Sequence, residues 1–181
     1  MLALISTRTI TFLNSGDPLP KTLDSLWLII SGVVKTYTIN EEGILITLGF
    51  WGVQDIVGKP LSNLEPYSID CITDVRAVSV PKSEWGKLST AILRHGQETQ
   101  RLTYIVRSQR IYNRLWMLLE WLATRFGCVI KQGRLIDFKL THQELADAIG
   151  ATRITVTKIL SQLEQDGLIS RPNNKCIIVN C

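Results

Sequence analysis

From Arg8 to Pro81 the apolar residues come in short β-branched runs: RTITFL, SLWLIISGVVKTYTI, GILITLGF, YSIDCI and VRAVSVP. Turn signals at Asn14-Ser15-Gly16-Asp17, Glu41-Glu42-Gly43 and Trp51-Gly52 separate them. Repeated short strands joined by glycine-containing turns predict a β-sandwich or roll. After Pro81 the period changes. Lys82 to Phe126 holds no proline and only two glycines, Gly86 and Gly96. Its apolar residues recur at helical intervals: Leu88, Ile92, Leu102, Val106, then Leu115, Leu118, Leu119, Leu122 and Phe126. The spacing predicts one long helix broken between Arg110 and Asn113, or two helices in succession. Polar residues, His95, Thr99 and Gln109, interrupt the seam of the first. Such a seam suits a two-stranded interface in which buried polar groups fix register. Leu88, Ile92, Thr99, Leu102, Ile105, Val106 and Gln109 are therefore candidate homodimer contacts, the rival reading being a face that rests on the β-roll.

Further on, THQELADAIGATRITVTKILSQLEQDGLI carries two short helical patterns around a Gly-Ala hinge. Thr141 with Glu144 three residues later spells a capping box. Leu145, Ala146 and Ile149 form a buried face, and Gly150 can take the left-handed conformation that ends the helix. Thr152 can cap a second helix with inner face Val156, Ile159, Leu160 and Leu163, stopped at Asp166-Gly167. This is helix-turn-helix spacing. Outside the inner face, Arg153, Ile154, Thr155, Thr157 and Lys158 occupy the first turns of the second helix, the end that enters the major groove in such motifs. Arg153 can then pair with guanine O6 and N7, and Lys158 can reach another base edge or a phosphate. LISRPNNKCIIV reads as two strands around an Asn173-Asn174 turn, a wing whose Arg171 and Lys175 suit the phosphate backbone.

Charge follows the same division. Residues 1–100 hold 8 Lys+Arg against 10 Asp+Glu, a net −2, whereas residues 101–181 hold 12 against 6, a net +6. A basic half joined to a near-neutral half suggests a polyanion-binding module attached to a part with another task. The 181 residues, 45% hydrophobic and 20% charged, suffice for one medium or two small cores. Apolar runs fall short of a membrane span, and MLALISTRTITFL lacks a basic stretch ahead of its apolar residues, so a soluble cytoplasmic protein without membrane contact is expected. The four cysteines, Cys71, Cys128, Cys176 and Cys181, form no CxxC pair. Reduced thiols are expected rather than zinc or iron–sulfur ligands. Two histidines, His95 and His142, both on predicted helices, do not make a metal triad, and no nucleophile elbow or phosphate loop is present, so neither a metal site nor an enzyme is expected.

LTHQELADAIGATRITVTKIL with its wing resembles the winged helix-turn-helix of the CRP/FNR family of bacterial transcription regulators, and within it the global nitrogen-control branch. LIISGVVKTYTINEEGILITLGFWGVQDIVG is similar to the family's effector-domain β-roll, with Gly32 between strands and turns at Gly52 and Gly58. The resemblance runs from about Arg8 to Val179. It implies an α+β chain: an N-terminal β-roll of the double-stranded β-helix or jelly-roll type over residues 1–87, a long dimerisation helix over 88–110, and a winged helix-turn-helix over 111–181. It implies a homodimer on double-stranded DNA, with RNA polymerase a further candidate partner. Arg153 and Lys158 fall on the family's base-reading positions, Thr152 and Thr155 near phosphates, and Thr141, His142 and Gln143 at the start of the first helix join the candidate DNA contacts. Ile154 stands where cyclic-AMP-responsive members carry Glu, so a different half-site is expected. In place of the Gly-Glu and Arg-Ser pairs that hold a cyclic nucleotide, the chain offers WGVQDIVGKPLSNLEPYSIDC, with no Arg between Lys59 and Arg76. That argues against a cyclic nucleotide, since a buried phosphate would lose its guanidinium. The nitrogen-control resemblance suggests 2-oxoglutarate, with Gly52, Val53 and Gln54 as candidate pocket residues. A sensor that binds nothing small is the other reading, and an interaction or effector-binding module whose winged helix no longer reads DNA is the alternative function.

Overall fold

The computed structural model describes residues 8–172 and 176–180. The chain divides into two compact units, Met1–Gln100 and Arg101–Cys181.

The first unit is an antiparallel β-roll. Strands β1 (Ile10–Leu13), β2 (Ser25–Ser31), β5 (Ile56–Val57) and β7 (Val75–Pro81) form a sheet in the order β1-β7-β2-β5. Strands β3 (Val34–Ile39), β4 (Leu45–Trp51) and β6 (Ser68–Cys71) form a second, ordered β4-β3-β6. Alternation along β2 explains its unbroken apolar run. Trp27 and Ile29 join Val34, Trp51, Tyr67, Ile69 and Val75 in the core of the roll, whereas Leu26 and Leu28 pack on Ile56, Val80, Leu88 and Ala91. A strand buried on both faces has no polar side to show. Gly32 turns β2 into β3 with φ +89°, where a Cβ would stand 2.2 Å from the Asp74 carbonyl oxygen. Only glycine fits that turn.

After a 3-10 helix over Lys82–Leu88 comes helix α1, Ser89–Val106. Leu88 thus precedes α1 and lies 2% exposed in the β-roll core, so it is not a seam residue. Leu102 and Ile105 are likewise buried within the chain. Gln109 falls beyond the helix, in the turn before α2 (Ile111–Phe126), because Arg114 Nε donates to the Ser108 carbonyl at 2.6 Å and Arg110 takes an extended conformation as N-cap. The chain therefore makes two helices in succession. Of the expected seam residues on α1, Ile92 and Thr99 are exposed and Val106 is half-buried; Leu93, Gly96, Gln97, Gln100, Arg101, Thr103 and Tyr104 are exposed beside them.

The second unit packs α2 with α3 (His142–Ile149) and α4 (Arg153–Gln165) beside an antiparallel sheet ordered β10-β11-β9-β8. Its strands are β8 (Cys128–Ile130), β9 (Gly133–Ile136), β10 (Ile169–Ser170) and β11 (Ile177–Asn180). The hairpin of β8 and β9 has no counterpart in the sequence reading. Strands β10 and β11 pair as the wing, with Ile169 opposite Val179. Its Asn173-Asn174 turn and Lys175 lie outside the described residues, as does Cys181. Among the described residues no helix is long and apolar enough to cross a membrane.

Candidate nucleic-acid interface

The helix-turn-helix forms through the caps that its sequence spells. Thr141 Oγ1 accepts from the Glu144 N–H at 3.1 Å while the Glu144 carboxylate accepts from the Thr141 N–H at 2.8 Å, closing the capping box of α3. Gly150 ends α3 at φ 65°, ψ 50°, the left-handed region in which glycine carries no steric penalty. The chain then reverses into α4, where Thr152 Oγ1 accepts from the Thr155 N–H at 3.2 Å. Leu145, Ala146 and Ile149 of α3 and Val156, Leu160 and Leu163 of α4 are buried, with Ile159 half-buried.

These caps fix which side chains are already committed. The hydroxyls of Thr152 and Thr155 bond each other at 2.9 Å. Thr157 Oγ1 donates to the Arg153 carbonyl at 2.9 Å, so it accepts from His142 Nδ1, 2.7 Å away, and Nδ1 carries the imidazole proton. That chain of two bonds clamps the start of α3 to the first turn of α4. Burial, then the charges of Arg171 and Arg153, hold the His142 pKa below its ordinary value, so the ring is neutral at neutral pH. Gln143 Nε2 donates to Asp147 at 2.7 Å. Arg171 is paired as well: Nη2 lies 2.6 Å and Nε 3.2 Å from Glu164 Oε2, and its own N–H donates to Oε1.

Two cations remain. Neither the Arg153 guanidinium nor the Lys158 ammonium has a hydrogen-bond or ion-pair partner among the described residues, and both are exposed on the opening turns of α4. No acidic residue stands in the first turn of α4. A cation at a helix N-terminus opposes the macrodipole, at a cost of about 0.3–1 kcal/mol. Arg153 therefore does not stabilise its own helix through the macrodipole. Beside it opens a cleft of about 630 Å³ lined by Lys139, Leu140, Thr141, His142, Gln143, Arg153, Leu160, Arg171, Cys176 and Ile177. The cleft thus gathers three fixed cations and a histidine and no carboxylate. Lys139 was not among the residues expected from the sequence, where its place two residues before the Thr141 cap was the one available signal.

The candidate effector residues lie in the other unit. Gly52, Val53 and Gln54 form a turn in which the Gly52 N–H donates to Asp55 Oδ2 at 2.8 Å, the Gln54 N–H to the Ile29 carbonyl and the Asp55 N–H to the Gly52 carbonyl. Val53 points into solvent. Those three main-chain donors are therefore already used within the roll. Lys59, the sole cation between Gly52 and Cys71, donates to the Ser62 and Leu64 carbonyls and pairs with Glu65 at 2.7 Å. Next to the turn, Trp51 fills the roll. Its Nε1 donates to Thr36 Oγ1 at 2.9 Å, and its ring lies so close over Gly49 that a Cβ there would meet Cζ2 at 2.4 Å. The indole stacks on His95 with centroids 3.9 Å apart, and His95 Nδ1 donates to the Ile56 carbonyl at 3.0 Å. Among the described residues no three His, Cys, Asp or Glu are grouped to hold a metal.

Comparison with known proteins bears on this geometry. Residues 109–181 match the Crp-like helix-turn-helix domain. The chain is 40% identical over 164 residues to the regulatory protein CysR of Synechococcus elongatus, covering 88% of this chain and 78% of that protein. To the global nitrogen regulator of the same organism it is 28% identical over 194 residues, covering 96% and 82%. A CRP/FNR-family transcriptional regulator of Thermus thermophilus superposes with a TM-score of 0.75 at 25% identity, covering 95% of this chain and 94% of that one. With the winged helix-turn-helix and the β-roll both matched in one alignment, the chain belongs to the CRP/FNR family of transcription regulators.

Proposed function

We propose that this protein is a sequence-specific DNA-binding transcription regulator that works as a homodimer, with the two copies of α4 in successive major grooves about 34 Å apart. One observation carries the reading: Arg153, without a partner among the described residues, stands exposed at the opening of a helix whose threonine hydroxyls there are engaged, beside a cleft lined by Lys139, His142 and Arg171. Arg153 reads a guanine through O6 and N7, Lys158 reaches a second base or a phosphate, and Lys139, Arg171 and Lys175 hold the backbone.

The dimer contact is assigned to the outward face of α1. Leu93 and Tyr104 are exposed there, 69% and 62%. Between them Gly96 sits in mid-helix, and a Cβ added to it would meet nothing within 4 Å. Glycine costs a helix about 1 kcal/mol relative to alanine, and nothing in its own chain requires it here. Close approach of a second copy of α1 supplies the reason.

Selection of bound sequences from random duplex, followed by Arg153→Ala, tests the proposal. The variant is expected to lose about 1–3 kcal/mol of discrimination while weak binding to any duplex persists. Affinity should fall steeply with salt, as contacts to several phosphates require. Binding that ignores salt, or an equal loss on selected and scrambled DNA, would contradict it.

A further inference from the structure

We infer that Ile154 reads the 5-methyl group of a thymine next to the guanine that Arg153 contacts. The inference rests on the proposed entry of α4 into the major groove and adds to it the chemistry of the second base position.

Ile154 is the second residue of α4 and is 69% exposed, whereas the other apolar residues of the helix turn inward. The threonine hydroxyls around it are already engaged: Thr152 and Thr155 bond each other, with one O–H of the pair left over, and Thr157 is held between His142 and the Arg153 carbonyl. What the first turns project is therefore a guanidinium, a branched hydrocarbon and, a turn later, the Lys158 ammonium. Only one base edge in the major groove presents an apolar feature, the C5-methyl of thymine. Cytosine or adenine opposite Ile154 would lose water from an amino group and gain no partner. Ile154 follows Arg153 within the same first turn of α4, the end that would enter the groove, so both side chains lie within reach of neighbouring base pairs. Branching at Cβ confines Ile154 to essentially one rotamer in a helix, so its methyls are held in place before DNA arrives.

The experiment uses the full-length protein and the operator half-site recovered by selection. That half-site should carry thymine, on either strand, at the base pair beside the essential guanine. Replacing this thymine by deoxyuridine removes one methyl and should weaken wild-type binding about fourfold. Exchanging the T·A pair for 5-methylcytosine paired with guanine should bind better than plain cytosine. For Ile154→Ala, an exposed change to a better helix former, thymine and deoxyuridine should be indistinguishable. Ile154→Glu should move the preference towards cytosine, whose amino group a carboxylate can accept. Equal binding of thymine and deoxyuridine by the wild type overturns the inference, as does a selected site without thymine beside the guanine. In either case, loss of discrimination by Arg153→Ala would leave the DNA-binding reading standing; its absence would remove both.

Discussion

The two units treat their polar groups in opposite ways. In the β-roll, most of the polar groups around Trp51 are turned inward and matched: the Trp51 indole with Thr36, His95 with the Ile56 carbonyl, the Asp55 carboxylate with the Gly52 N–H and, at 3.9 Å, Arg94, although the Thr47 and Tyr67 hydroxyls are buried without a hydrogen-bond partner among the described residues. In the winged unit, the strongest donor of α4 is left unmatched among the described residues and an isoleucine is left uncovered next to it. A fold stabilises itself by satisfying such groups, so the places where it does not are where a partner is due. What sets the second unit apart is that its unmatched groups are exposed, which supports the recognition proposed there.

Stability measurements can break that comparison. Trp51→Ala, which empties the middle of the roll, should cost about 3–5 kcal/mol in denaturant unfolding. A small loss would mean that the indole is not the centre of the core. Gly96→Leu improves helix propensity but crowds the outward face of α1. Overpacking of about 1–3 kcal/mol should weaken the dimer on the order of tenfold by sedimentation, with the monomer fold intact. An unchanged dimer would place the contact elsewhere. Thr141→Ala removes the hydroxyl of the capping box and should lower stability by about 1 kcal/mol. Arg153→Ala should instead leave stability unchanged or raise it by about 0.3–1 kcal/mol, because it takes a cation from a helix N-terminus. Destabilisation there would show that the arginine serves its own fold.

The smallest effect concerns pH. Burial holds His95 below its ordinary value of 6.5, despite the opposing bond to Ile56 and the charge of Asp55. Above 6.5 both folded and unfolded chains carry a neutral ring and the stability is complete. As pH falls through that value the unfolded chain takes up the proton first, so stability declines until the folded ring also titrates. His142 is shifted in the same direction and contributes with the same sign. His95→Asn, which can still donate to the Ile56 carbonyl, should flatten part of that slope in thermal melts at successive pH values. An unchanged slope would indicate that the imidazole is solvated.

Local grammar explains what the sequence disclosed. The capping box at Thr141 and Glu144, the left-handed Gly150 and the 3.6-residue spacing of the inner faces are all decided within a few residues, and each is present in the structure. What failed depends on distant partners. Leu88 carries the right spacing for a helical seam, yet Leu26, Leu28, Ile56 and Val80 are what cover it. Apolar periodicity names a face and not its occupant. Strand β5, only two residues long, is too short to show alternation, and the β8–β9 hairpin hides in CVIKQGRLI, where Gly133 was the one turn signal. The Gly52–Gln54 turn was recognised as a turn, but hydrogen bonds to Ile29 and Asp55 could not be read from composition.

The ion pair between Arg171 and Glu164 has a consequence for how the wing would meet a duplex. Its guanidinium is oriented before any encounter, so less rotational freedom remains to be lost when a phosphate docks. The same carboxylate repels any phosphate that arrives a few ångströms out of register, and low salt would sharpen that rejection. Removing Glu164 would thus give a looser grip that tolerates misplaced backbones, trading fidelity of alignment for attraction.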